Sequence, residues 1–234
     1  MKRTGSLSLL LMTVTLLMML LSVTLAVAQT SPAQTKEEFR EVINKRAAKI
    51  VAALQSTDSV FNNKVTNIVA DQYMALSAIH DARNAKIKDI KAKGAGLTEK
   101  DKAAIEKLQA RSEKDLAKLH KAYLKKLSAH CTSQQIDEIK NGMTYNVLNV
   151  TYSAYKDMIP SLTEEQKAQI LSWLTEAREK AMDAESSEKK HAVFGKYKGR
   201  INNYLAKAGI DMKKEEKAWQ QRLKEKREAA KQSK

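Results

Sequence analysis

The chain has 234 residues and carries 42 Lys or Arg against 27 Asp or Glu, a formal net charge of +15 with a pI near 9.7. A single cysteine, Cys131, excludes an intrachain disulfide, so the core must rest on apolar packing. Seven Gly and two Pro among abundant Ala, Lys, Leu and Glu favour helices throughout, within one domain carrying a helical appendage.

Lys2 and Arg3 precede an uncharged apolar run from Leu7 to about Val27, which ends in Ala26-Val27-Ala28. A basic start, an apolar middle and a small-residue site spell a secretory signal peptide over residues 1–28. The run approaches the about 20 residues of a membrane-spanning helix, but the well-formed A-x-A site favours cleavage and no lasting span. For an exported protein of this charge, the expected partner is an acidic polysaccharide or another polyanion, with no nucleic acid.

Residues 29–34 form a polar linker, and 35–212 are expected to form the helical domain. Thr35 with Glu38 makes a capping box for a first helix with Phe39, Val42, Ile43, Ala47, Ile50, Val51 and Leu54 on one stripe. Thr57 or Asp58 starts a long second helix with apolar positions from Phe61 to Ile90. These thin out between Ile79 and Ile87, where the helix is expected to leave the core. Lys93-Gly94-Ala95-Gly96 turns the chain, and Thr98 caps a third helix carrying Ile105, Leu108, Leu116, Leu119, Tyr123 and Leu127. With 13 Lys or Arg against 6 Asp or Glu between Asn84 and Lys126, these two helices should make a charged hairpin arm over about residues 84–126.

Thr132 with Gln135, and Thr163 with Gln166, are further capping boxes. The helix opened by the first should be short, because Gly142 interrupts it. Residues 141–160, rich in Tyr, Thr and Val, read as mostly helix or irregular and buried, ending at Pro160. Ile170, Leu174, Ala177 and Ala181 then mark a core-facing helix, and Asp183 to Glu188 a polar loop. The next helix carries Phe194, Tyr197, Ile201, Tyr204 and Leu205 and stops before Gly209. Residues 213–234 read as a basic helix that docks through Trp219 and frays. The fold class is all-α, a helical bundle with a long charged helical hairpin arm.

Binding chemistry is expected to concentrate from Trp173 to Tyr204, and six cations occur without an acid between Lys189 and Gly209. Lys190, His191, Lys196, Tyr197, Arg200, Asn203 and Tyr204 are the candidate ligand-binding residues. Lys196, Arg200 and Asn203 follow helical steps and share a face; Arg offers a bidentate fork to a carboxylate. Gly195 and Gly199 each cost roughly 1 kcal/mol in a helix, expected to be offset by close approach of another helix, that over residues 163–184, or else of a ligand. Catalytic candidates are His191 and Tyr197 for proton transfer, and Glu176 and Glu179 as a carboxylate pair. Glu188-x-x-His191 has the spacing of a di-iron bundle motif. However, His80, His120 and His130 lack an acid three residues earlier, so neither metal nor cofactor is expected.

The segment from Lys140 to Tyr204, above all SSEKKHAVFGKYKGRINNYL, resembles an exported bacterial family catalogued as domain of unknown function 3826. The resemblance extends over about residues 36–220. It implies a periplasmic or secreted protein of Gram-negative, polysaccharide-degrading bacteria, and no catalytic residue comes with it. A looser similarity, to basic helical periplasmic chaperones of the Spy and CpxP kind, rests on Leu162-Thr163-Glu164-Glu165-Gln166. Three functions therefore compete: binding of an acidic glycan, a lyase or hydrolase acting on a uronate-containing glycan, and a chaperone. The acid-free basic segment favours the first.

Overall fold

A computed structural model describes residues 36–92, 94 and 96–232, and eight helices occupy most of them. The expected signal segment, the 29–34 linker and the Thr35 cap lie outside these residues. In chain order the helices are α1 (Lys36–Ala52), α2 (Ser59–Lys91), α3 (Glu99–Ser128), α4 (Ser133–Met143), α5 (Val147–Met158), α6 (Glu164–Met182), α7 (Ser187–Lys207) and α8 (Met212–Gln232). None of the described helices is long and apolar enough to cross a membrane.

Local capping fixes most starts. Asp58 accepts from the amides of Val60 and Phe61 at the head of α2. Complete boxes join Thr98 to Asp101, Thr132 to Gln135 and Thr163 to Gln166. Each satisfies orphan amides of the first turn, worth about 1 kcal/mol apiece.

Burial along α2 stops at His80 and resumes along α3 only at Ser112; no described side chain between them is buried. Here the hairpin is a narrow zipper of half-buried Ile79, Ile87, Ile90, Ile105 and Leu108. Gly94 and Gly96 turn it with φ of 85° and 89°, values that L side chains rarely adopt. The paired helices therefore leave the core where the apolar spacing thins.

Val65, Val69, Tyr73 and Leu76 of α2 are buried, as are Tyr123 and Leu127 of α3 and Ile139 and Met143 of α4. On α1 the buried stripe is Ile43, Ala47, Ile50 and Val51, whereas Val42, expected on it, is 45% exposed. Gly142 does not break α4, which continues through Met143. Its role is spatial: a Cβ there would lie 2.9 Å from Ile50 Cγ2.

Residues 141–160 resolve into a helix preceded by two consecutive left-handed residues, Tyr145 (φ 58°) and Asn146 (φ 57°). Such a conformation costs a non-glycine residue about 1–2 kcal/mol. From α5 onward a continuous core joins α5, α6 and α7. In it Ile170, Leu174, Phe194, Ile201 and Leu205 are each at most 1% exposed, and each contributes about 1.5–3 kcal/mol through burial. None of the described side chains of α8 is buried, but the helix is tied to the end of α5. Trp219 Nε1 donates to Asp157 Oδ2 (2.6 Å), and Arg222 donates to the carbonyls of Asp157 (2.8 Å) and Met158 (3.0 Å).

Candidate functional site

Helix α7 has two faces. Lys190, Phe194, Tyr197, Ile201 and Leu205 recur at helical spacing and are buried. Lys189, Lys196, Arg200, Asn203 and Lys207 form the opposite, exposed stripe. The seven candidate ligand-binding residues divide between these faces, so they do not form one site.

Four of them meet in a groove. Lys196, Arg200, Asn203 and Tyr204 line a depression of about 630 Å³, with Trp173 of α6, Gly199 and Lys207 completing it. The Arg200 guanidinium sits 4.4 Å from the centroid of the Trp173 ring, and Tyr204 meets that ring edge-on at 5.2 Å. Cation–π contact of this kind is worth about 0.5–1 kcal/mol at an exposed site, enough to hold the guanidinium beside the aromatic surface. Arg200 also reaches Glu176, at 3.7 Å, but that carboxylate is already engaged by Lys180 at 2.8 Å. No acid lines the groove itself.

The expectation for the two helical glycines is corrected here. A Cβ at Gly195 or Gly199 would meet nothing within 4 Å, so no neighbouring helix requires either glycine. Gly199 instead lines the groove, where an added Cβ would enter open space. Trp173 and Lys207 were missed as site residues. Lys207 continues the helical step from Asn203, a usable signal, but Trp173 stands on another helix and no spacing links it to α7.

The other three candidates lie elsewhere. Lys190 is buried, its ammonium donating to the last-turn carbonyls of Ala181 (3.0 Å) and Met182 (2.9 Å) at the end of α6. Burial pushes its pKa down to about 8, helped by Arg46 and opposed by Asp183. It is a helix cap, and its ammonium does not face the groove. Tyr197 is buried in the core and does not line the groove, its hydroxyl accepting from Lys180 Nζ at 2.8 Å. His191 is exposed and stacks parallel on Tyr145, centroids 5.6 Å apart. The strained left-handed turn at Tyr145 thus presents an aromatic ring to His191 rather than to the groove.

Glu179 belongs to a polar centre where α3, α4 and α6 meet. His120 forms ion pairs with Asp183 (2.8 Å) and Glu179 (3.4 Å), and Lys140 pairs with Glu179 at 2.9 Å. Arg178, 6% exposed, binds Asp137 at 2.6 Å and Asn141 at 2.8 Å, and lies 3.4 Å from Glu179. Hydrogen bonds to Asp183 and Glu179 raise the His120 pKa to about 9 against its burial. Burial raises that of Glu179, but hydrogen bonds from His120 and Lys140 and the charges of Lys140 and Arg178 prevail and hold it at about 2. Glu176 is likewise lowered, by Lys180 first and then Tyr197. A general acid needs a raised carboxyl pKa. Both candidate carboxylates are instead held low, Glu179 within the polar centre and Glu176 beside Lys180. Among the described residues no group of three or more His, Cys, Asp or Glu is arranged to hold a metal ion.

A second depression, of about 970 Å³, lies beside the groove, between the hairpin and the exposed face of α7. Arg83 and Asn84 of α2 reach Glu185, just before α7, at 2.7 and 2.6 Å. Lys196 lines both depressions. Cys131 is half-buried, and burial pushes its thiol pKa up.

These features define an all-α bundle with a helical hairpin and a basic, aromatic surface on one helix. The chain belongs to the family described as Protein of unknown function (DUF3826), which matches residues 40–225. No curated protein matches it.

Proposed function

We propose that the protein is a binding protein for an acidic glycan, held in the groove at Trp173 and Arg200, and that it acts in the periplasm or outside the cell. The observation that carries this reading is the meeting of an acid-free trio of cations with aromatic surface and an amide side chain. Cations supply attraction to a uronate carboxylate, and Arg200 adds a planar pair of donors. Trp173 and Tyr204 supply apolar area for a sugar ring, and Asn203 donates to or accepts from hydroxyls. A ligand held this way by surface charges should bind more weakly as salt rises. The N-terminal signal-like segment supports an extracytoplasmic polymer over nucleic acid.

Calorimetric titration with polygalacturonate tests this. Arg200→Ala should weaken binding roughly tenfold, equivalent to about 1.4 kcal/mol. Asn203→Ala should have a smaller effect, and raising salt should weaken binding further. An Arg200→Ala protein of unchanged helicity that binds as well as the parent overturns the reading. Release of new reducing ends or unsaturated uronate absorbance during the titration would favour the lyase or hydrolase alternative instead.

A further inference from the structure

We propose, resting on the reading above, that the groove is one end of a longer track along α7, and that the ligand is an extended uronate polymer which passes Lys196 into the cleft beneath the α2–α3 hairpin. Lys196 is common to both depressions, so they adjoin along one face of α7. From Lys189 to Lys207 the stripe runs for about 27 Å at 1.5 Å per residue, which suits a chain better than a single sugar.

The charge balance inside the cleft points the same way. Lys91, Lys189 and Lys196 line it, and none has an ion-pair partner among the described residues. Of the acids there, Glu185 is taken up by Arg83 and Asn84, and Asp183 by His120. Glu113 is left to oppose three lysines. The Arg83–Glu185 pair, 2.7 Å long, ties the hairpin to the segment that opens α7. This gives the hairpin a use that packing does not: it walls one side of the track and contributes Lys91 to it. Ile87, Ile105 and Leu116 supply apolar wall on the same side.

The test compares oligogalacturonates of about three and about ten units, since occupying linked subsites raises affinity well beyond that of one. The longer oligomer is expected to bind at least about tenfold more tightly. The double variant Lys91→Ala/Lys189→Ala should reduce the long oligomer to the affinity of the short one and leave the short one unchanged. Arg200→Ala should weaken both. Equal affinity of the two lengths, or equal loss for both in the double variant, overturns the track and leaves the groove standing. If neither oligomer binds, the glycan reading itself falls, and the track with it. Binding of a DNA duplex as tight as that of the long oligomer would overturn the assignment to a glycan.

Discussion

Replacing Arg178 by Leu is expected to remove about 2 kcal/mol of folding stability, chiefly because buried Asn141 loses its partner, while the 56%-exposed Asp137 is screened by solvent and adds little. The guanidinium is the only link from α6 to both Asp137 and the buried Asn141 of α4 among the described hydrogen bonds. Glu179 retains Lys140 and His120, which keeps the cost at the lower end of such deletions. For a domain of this size, about 2 kcal/mol lowers Tm by about 4–8 °C. Arg178→Lys should recover less than half, since one ammonium cannot reproduce the fork to Asp137 and Asn141. Urea and thermal unfolding followed by circular dichroism measure both, and a loss under about 1 kcal/mol for Arg178→Leu would falsify this view of the centre.

Stability should also fall on the alkaline side of neutrality, through His120. Its folded pKa of about 9 lies above the ordinary 6.5. The contribution is therefore complete below about 6.5 and disappears as pH rises through 9. On the acid side Glu179, held at about 2 against an ordinary 4.5, contributes above 4.5 and loses that contribution as pH falls through 2. The His120–Glu179 pair enters both shifts and is counted once, but Asp183 is the first cause of the His120 shift and Lys140 shares in that of Glu179. Lys190 acts oppositely: held down near 8 against 10.5, it makes the folded state gain stability as pH rises between those values. The His120 effect is thus read most cleanly between pH 6.5 and 8, where a loss of about 1 kcal/mol is expected after allowing for partial solvent screening. His120→Gln should be less stable than the parent at pH 6 and show a flatter profile up to pH 8. An equally steep decline in that variant would assign the effect to another group.

The helices were legible because their signals are local. Thr132 with Gln135, Thr163 with Gln166, and Asp58 each declare a start within four residues, and the thinning apolar spacing after Ile79 marks where α2 loses its core. The polar centre was not legible, since His120 and Lys140 come from two other helices and only the fold brings them to Glu179 and its neighbour Arg178. Lys190 shows a different difficulty. A run of cations looks uniformly solvated, yet Lys190 lies on the same stripe as Phe194, Tyr197 and Ile201 and is carried inward with them. The left-handed pair at Tyr145 and Asn146 has no such excuse of distance; Asn tolerates that conformation, but Tyr gives no sign of it.

Gly195 and Gly199 occupy sterically equivalent open positions one turn apart, yet only Gly199 borders the groove. Alanine at either position should make α7 more robust by roughly 1 kcal/mol. A selection for heat resistance alone would accept both replacements, whereas a selection for retention of ligand would accept the first and reject the second. The two glycines thereby separate what the helix needs in order to persist from what its surface needs in order to work.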